Sequence, residues 1–590
     1  MSQNSAGGGP KAPFYIVVVL VVLGLAGYGL RGYIFPQGAQ TDGKNAAPIS
    51  AADLQENAAG TSDAANNGPE APDANVVTTA KEYAFVPSEK LPPVSGVSTY
   101  EPLADRTVKF ALNVWAGWAP IILFNEGKGP GKIWKTSDGQ EFKVELVLID
   151  DPVAMRNAYA AGEIHIGWGT LDMVPLFADG FARAGDSRIM PRIYQQVDWS
   201  NGGDGIVVRE NIKTVADLRG KKLVLAQNSP SQYFALNVLV AGGVQPSEVE
   251  MVYTATAFEA ARAFEVQKDI AGAVSWAPDI YNLAKVKGNR MLVTTLTANK
   301  LIADVWFARA DFAKDHPQIL EGIVRGIFDA MVEMKLPDKK EQCAKLMADG
   351  YGIPVTDAMS MFADAHNTNW AENYQFFMNQ NNPTNFERIW RQAYYLYKRI
   401  GAIEGQPVPF DQVMDFSIIA KLASEPKYAQ QKDEYEVVLA PKTVTEIRAE
   451  SEEILTNTIV IHFAPNSWDL HRTITREING KEVEQLYDPA VDMVLEEAAK
   501  LSGQFGAARI IIEGHTDASM KGAVPETLIK ELAMNRANSV KEELVNKYKL
   551  DPNKFSVDGV GWDRPADSND PLNHAKNRRV EIKVYPAEME

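Results

Sequence analysis

Cysteine is almost absent from these 590 residues: Cys343 stands alone. One thiol forms no intramolecular disulfide, no Cys-x-x-Cys redox pair and no thiolate zinc cluster, so those chemistries are excluded. It lies in Lys340-Glu-Gln-Cys-Ala-Lys-Leu-Met347, which reads as a helix, and is expected to be a small apolar core residue. Runs of basic residues are missing too. Lys plus Arg number 59 against 76 Asp plus Glu, a formal charge of −17, and no Lys/Arg-rich stretch exists to neutralise phosphates. Nucleic acid is therefore not an expected partner. Catalytic signatures are equally wanting: there is no G-x-S-x-G elbow, no HExxH and no paired-carboxylate constellation. Asn201-Gly-Gly-Asp-Gly205 is not followed by Lys-Ser/Thr, so it is no phosphate cradle. The reading is not an enzyme, with no cofactor and no metal.

What is present points to several domains. The chain is too long for a single core, and 45% hydrophobic with 23% charged residues is an ordinary globular balance. From Phe14 to Leu30 no charge occurs. As a helix this run spans roughly 26 Å, close to the ~30 Å hydrocarbon core. Continuation to Phe35, with Arg31 snorkelling and Tyr28 and Tyr33 in the interfacial belt, completes a span. Residues 14–35 are thus expected to be a retained transmembrane anchor rather than a cleaved signal, since no clean A-x-A site follows, with 1–13 cytoplasmic. Lys11 and Arg31 flank both ends, so orientation must come from what lies downstream. Residues 36–105 are rich in Ala, Asn, Asp, Pro and Gly and read as a flexible linker of roughly 45 Å r.m.s. reach.

Short strands alternate with helical stretches from Val108 to about residue 305, the pattern of a largely parallel α/β sheet, and helical periodicity dominates from Asp311 to Leu422. Residues 106–423 are therefore one domain, with 424–445 a second polar linker. Residues 446–590 read as β-α-β-α-β-β: strand Thr458–Phe463, helices near Asp488–Ser502 and Leu528–Tyr548, and strands Ala508–His515, Lys554–Val560 and Arg579–Val584.

Four blocks of this last domain carry a specific signal: Glu513-Gly-His-Thr-Asp517, Leu532-Ala-Met-Asn-Arg536-Ala537, Gly559-Val-Gly561-Trp-Asp-Arg-Pro565 and Asn577-Arg578-Arg579-Val580-Glu581. Together they resemble the OmpA-like peptidoglycan-binding domain. The resemblance implies that Asp517 accepts the ammonium of a diamino-acid stem peptide while Arg536 pairs bidentately with its carboxylate, beside Thr516. Asn577 and Arg579 would brace the loop, and Gly559 and Gly561 would supply a turn. His515 is expected to be packed rather than a metal ligand. Ile529 and Leu532-Ala533 depart from the family's polar residues, and the Ala518–Leu528 loop and the His471–Leu486 insertion are long. Flagellar stator subunits share a single span and this ending, but no Asp or Glu stands between Phe14 and Phe35 to carry an ion.

The middle domain resembles type 2 periplasmic solute-binding proteins of the nitrate, sulfonate and taurine ABC-transporter group. The marks are Val114-Trp-Ala-Gly-Trp-Ala119, Ala160-Ala-Gly-Glu-Ile-His-Ile-Gly167, Ile212-Lys-Thr-Val-Ala-Asp-Leu-Arg-Gly-Lys-Lys222 and Ala273-Val-Ser-Trp276-Ala-Pro278. The fold implied has two α/β lobes with ligand between them, crossings near Asp198–Gly205 and Thr297–Val305, and a second lobe at about 203–303. Position by position, the implied ligand residues are Trp115, Gly117, Trp118, Thr170, Asp172, Asn228, Ser229, Ser231, Gln232, Trp276 and Asp279. Hydroxyls, amides and helix N-termini suit an anion, but Asp172 and Asp279 would repel one, so anionic and zwitterionic solutes both stay open.

The whole is therefore expected to be multidomain α/β and α+β. It is read as an inner-membrane protein, single-pass, with its bulk in the periplasm. It would bind peptidoglycan and a small solute as a receptor, sensor or transport-associated component, with envelope or transporter proteins as further partners. The other reading is a structural bridge or docking scaffold.

Overall fold

The computed structural model describes Glu70 and residues 83–478 and 481–587. The stretch 14–35, read as a membrane anchor, lies outside them; among the described residues no helix is long and apolar enough to cross a membrane.

The middle domain is laid down as two sheets. The chain first builds β1 (Thr107–Leu112), β2 (Trp134–Lys135), β3 (Glu141–Leu148), β4 (Ile166–Thr170) and β5 (Pro191–Ser200). It then crosses at 201–203 to build β6 (Asp204–Arg209), β7 (Lys222–Ala226), β8 (Glu250–Thr254), β9 (Ile270–Trp276) and β10 (Asn289–Thr294). It returns through 295–302 to β11 (Ala303–Arg309) and, after a helical stretch, β12 (Ala365–Asn367). The large sheet runs β12-β5-β11-β4-β1-β3-β2 and the small one β10-β6-β9-β7-β8. A largely parallel sheet was expected, and the observed sheets are mixed. β1 pairs in parallel with β3 and β4, whereas β11 is antiparallel to both β4 and β5, because β5 and β11 lead out of the lobe and back into it.

β5 and β11 are buried on both faces, which is why they read as near-continuous apolar runs broken by a few polar residues. Cys343 is fully buried, its Sγ 3.3 Å from the Ala119 carbonyl oxygen, and burial pushes its thiol up to about 12. It is the inert core thiol expected.

The C-terminal domain adds β13 (Leu455–Ile459), a hairpin β14 (Thr473–Ile478) and β15 (Lys481–Leu486), then β16 (Ala508–His515), β17 (Phe555–Gly561) and β18 (Val580–Pro586). Its sheet runs β13-β18-β16-β17, with β16 and β17 parallel and the other pairs antiparallel. The insertion at 471–486 is the separate hairpin. Two helices cover the sheet, α1 (Val491–Gln504) and α2 (Glu526–Tyr548). β13 starts earlier than the expected Thr458 because it pairs along β18 from Leu455 opposite Val584.

Two stretches read as flexible linkers are fastened where the structure describes them. From Tyr83 to Glu101 the chain lies as a strap across the middle domain. Tyr83 Oη donates to the Val240 carbonyl (2.9 Å), Ser88 N–H to Ile400 (2.8 Å) and Ser98 N–H to Ala160 (3.1 Å). Arg309 Nη2 donates to the Ser98 carbonyl at 2.7 Å. In 424–445, Tyr435 stacks on His366 with ring centres 4.0 Å apart and donates to Asn201 Oδ1 at 2.8 Å. Backbone groups find partners here that composition alone does not reveal.

Candidate functional sites

In the C-terminal domain, the candidate site lies where the end of β16 meets α2. Gly514 sets the spacing: a Cβ there would lie 1.9 Å from the Ala533 carbonyl oxygen, so only glycine lets strand and helix approach this closely. Gly559 serves in the same way, its absent Cβ only 2.2 Å from the Lys530 carbonyl oxygen. This close approach replaces the turn expected at Gly559, whereas Gly561 has φ +62 and does turn the chain.

Arg536 is fully buried on α2. Its Nε donates to the Ser467 carbonyl (3.0 Å), Nη2 to the Ala464 carbonyl (3.3 Å), and its charge faces the Phe463 ring at 4.9 Å. The remaining fork holds a carboxylate, and it is this chain's own: Glu70 accepts from Nη1 at 2.5 Å and Nη2 at 2.6 Å. Asn466, at φ +56, clasps the same residue, accepting the Glu70 N–H at 3.0 Å and donating its own N–H to Glu70 Oε2 at 3.3 Å.

Asp517 does not pair with Arg536. Its Oδ2 accepts from Arg578 Nε at 2.5 Å and its Oδ1 from Ser519 N–H at 2.8 Å. Burial alone would raise its pKa, but Arg578 and Ser519 outweigh that and hold the carboxyl below its ordinary range. Arg578 Nε is also 3.4 Å from Glu70 Oε1, so this guanidinium links the two carboxylates. Among the described residues, Thr516 Oγ1 is buried without a hydrogen-bond partner. Asn577 braces the loop as expected: its amide donates to the carbonyls of Asp570 and Asn573, and its Oδ1 accepts the Ala566 N–H. Arg579 pairs with Glu581 at 2.6 Å and donates to the Arg564 carbonyl.

His515 lies 3.7 Å from Glu513 and 3.6 Å from Glu581, a spacing three metal ligands could adopt. Arg448, Arg564 and Lys583 already surround Glu513, and Arg579 holds Glu581. Both carboxylates thus already have cationic partners, two of which, Arg448 and Lys583, also pair with Asp558 and Glu453.

In the middle domain, strand register assembles a cluster of acids. Pairing of β11 with β5 sets Asp304 opposite Asp198, and pairing with β4 sets Asp304 opposite Thr170. Asp172 follows β4 and Asp204 begins β6 across the first crossing. All four carboxylates are buried, and among the described residues no Lys or Arg pairs with them. Their partners are neutral: Tyr397 Oη for Asp172 (3.4 Å), Trp115 Nε1 for Asp198 (3.2 Å) and Ser200 Oγ for Asp204 (2.7 Å). Burial pushes Asp172 and Asp198 up to about 7 and Asp204 to about 6; Asp304 is raised by burial and then by Asp198. The Thr170 hydroxyl beside Asp172 and the Asp304 carboxyl beside Asp198 offset part of that burial.

The other residues named from sequence divide. Gly117 must be glycine, since a Cβ would sit 1.6 Å from Asp198 Oδ2. Trp118 was read as a ligand contact and is instead core: it is fully buried against Phe110, with Nε1 on Asn113 Oδ1 at 2.7 Å. Trp115 has its indole N–H on Asp198, and its ring packs so closely on Gly203 that a Cβ there would be 2.5 Å away. Asn228 (φ +50) and Ser229 precede the helix Pro230–Ala241, and Ser229 Oγ donates to the Ala226 carbonyl. Among the described residues, Asn228 Oδ1 and Ser231 Oγ are buried and find no hydrogen-bond partner. Gln232 Nε2 donates to Ser88 Oγ of the strap at 3.2 Å and to Tyr253 Oη at 3.2 Å. Trp276 is half-buried beside Phe258, and Asp279 sits in the first turn of Asp279–Lys285, its pKa raised by burial and Glu265. Sequence reasoning missed Asp198, Asp204, Asp304, Tyr397, Arg578 and Glu70.

Comparison with known proteins follows this division. The profile of the OmpA family matches residues 480–579, and that described as NMT1/THI5 like matches 193–338. The taurine-binding periplasmic protein of Escherichia coli is 27% identical over 225 residues, covering 36% of this chain and 66% of that protein. Outer membrane protein Omp38 of Acinetobacter baumannii is 36% identical over 124 residues, covering 20% of this chain and 33% of that protein. The chain thus spans less than two-thirds of either relative. The crystal structure of the periplasmic aliphatic sulphonate binding protein SsuA from Escherichia coli aligns at 18% identity with a TM-score of 0.40, over 52% of this chain and 98% of that one. The chain joins a solute-binding-protein-like domain of the NMT1/THI5-like kind to a C-terminal domain of the OmpA family.

Proposed function

We propose that the chain is an envelope protein that grips peptidoglycan through its OmpA domain and receives a small zwitterionic solute in its middle domain. The expected span at 14–35 would tether it to the inner membrane. The observation that carries the wall reading is the buried Arg536 fork, which in this structure already holds a carboxylate with bidentate geometry. Arg578 and Asp517 beside it supply both signs of charge, as a diamino acid requires. Cosedimentation of the full chain with purified sacculi tests it: the chain is expected in the pellet, and its absence there would refute the reading.

For the solute, the acid cluster supports an ammonium-bearing ligand over a plain anion. Taurine, named for one relative, carries both an ammonium and a sulfonate, and the N-terminus of the helix Pro230–Ala241 offers donors for the latter. Calorimetric titration with taurine is expected to show saturable binding that Asp172→Asn weakens about tenfold, one charge-assisted contact. The scaffold reading draws on a different observation, that Ser88 of the strap already engages the Gln227 and Gln232 amides. A flat calorimetric response to taurine and a panel of amino acids and sulfonates would favour it.

A further inference from the structure

We propose that Glu70 is an internal ligand of the wall pocket, which the wall must displace in order to bind. The inference rests on the wall reading of Arg536 and adds a competitor encoded in the same chain.

Three features of the pocket support it. The contact is complete: both side chains are fully buried, and the Glu70 carboxylate takes both prongs of the Arg536 fork. With Nε on Ser467 and Nη2 also on Ala464, the guanidinium has no second bidentate edge for another carboxylate. Recognition also extends past the charge. Asn466 binds the Glu70 main-chain N–H as well as its carboxylate, so the pocket reads a glutamyl residue within a peptide. Arg578, the partner of Asp517, is shared with Glu70, so this residue touches both halves of the site.

Chain connectivity makes the competition effective. The strap is anchored at Tyr83, 13 residues after Glu70, which bounds their separation at about 45 Å. A ligand on so short a leash has an effective concentration in the millimolar range, enough to oppose a weak external ligand. The strap also carries Ser88, which meets Gln227 and Gln232 of the solute domain, so one segment touches both candidate sites.

The test compares full-length wild type, Glu70→Gln, Arg536→Ala and the double variant in sacculus binding isotherms. Glutamine keeps the size of Glu70 and removes the charge. Glu70→Gln is expected to bind sacculi about tenfold more tightly than wild type, and Arg536→Ala to weaken binding about 100-fold in both backgrounds. A synthetic peptide of residues 64–76, added at millimolar concentration, should displace the Glu70→Gln chain from sacculi, and the same peptide with Gln at position 70 should not. Equal affinity of wild type and Glu70→Gln, with binding still weakened in Arg536→Ala, would overturn the internal-ligand proposal and leave the wall reading standing. No retention of any variant would overturn the wall reading and the competition with it.

Discussion

Arg536→Ala is expected to weaken sacculus binding by about 100-fold. Truncating one member of a buried, hydrogen-bonded charge pair costs about 2–5 kcal/mol, and 1.4 kcal/mol is tenfold in affinity. The loss exceeds one contact because the same guanidinium holds the Ser467 and Ala464 carbonyls and faces Phe463, so it shapes the pocket wall as well as the ligand fork. Arg536→Lys keeps the charge but cannot present two parallel N–H groups, and should recover only part of the affinity. Matching thermal midpoints for the lysine variant and wild type, beside unequal isotherms, would assign the loss to recognition rather than folding. Asp517 adds a pH signature. Its folded pKa is depressed, so its ion pair with Arg578 stabilises the domain above the unfolded value near 3.9 and is lost as pH falls through the folded one.

The second large effect concerns the buried acids, and its sign is opposite. Asp172, Asp198 and Asp204 have raised folded values of about 7, 7 and 6, so between roughly pH 4 and 7 the folded state holds protons that the unfolded state has released. Stability without ligand should therefore be highest at and below about pH 4, as far as this cluster goes, fall as pH rises from there to about 7, and level off above it. For Asp172 alone, 3.8 to about 7 corresponds to at most about 4 kcal/mol. Asp172→Asn should raise the calorimetric midpoint at pH 8 and change it little at pH 5. An ammonium ligand favours the ionised carboxylates, so its affinity should increase from pH 6 to pH 8. Sulfate, a plain anion, should show the reverse, and tighter sulfate binding at pH 8 would contradict the assignment.

Much of the candidate wall site was legible because its residues sit in short contiguous blocks. Asp517 follows a strand and Arg536 lies on the next helix, so local sequence located both. Arg578 lies between Asn577 and Arg579 in one of these blocks, and nothing local marks it out from them. Its neighbours brace the 564–577 loop while Arg578 reaches Asp517, a division of work that side-chain direction decides. Glu70 was beyond reach: it lies 466 positions from Arg536 in a stretch whose composition signals only a tether. The acid cluster was half visible. Asp172 was named, but Asp198 and Asp304 meet only through the register of two antiparallel strands more than a hundred residues apart, which no local pattern encodes. Trp118 shows the reverse error: its loop position suggested a ligand contact, and the short helical turn Ala116–Trp118 directs it into the core.

The C-terminal domain is expected to recognise a diamino-acid stem peptide through separated charges, with Arg536 for the carboxylate and Asp517 for the ammonium. A soluble stem peptide of that kind, titrated calorimetrically into the full chain at pH 7, tests it most directly. One saturable site is predicted in wild type, weakened at least tenfold by Asp517→Asn and lost in Arg536→Ala. Binding heats that are the same in all three chains would contradict the account.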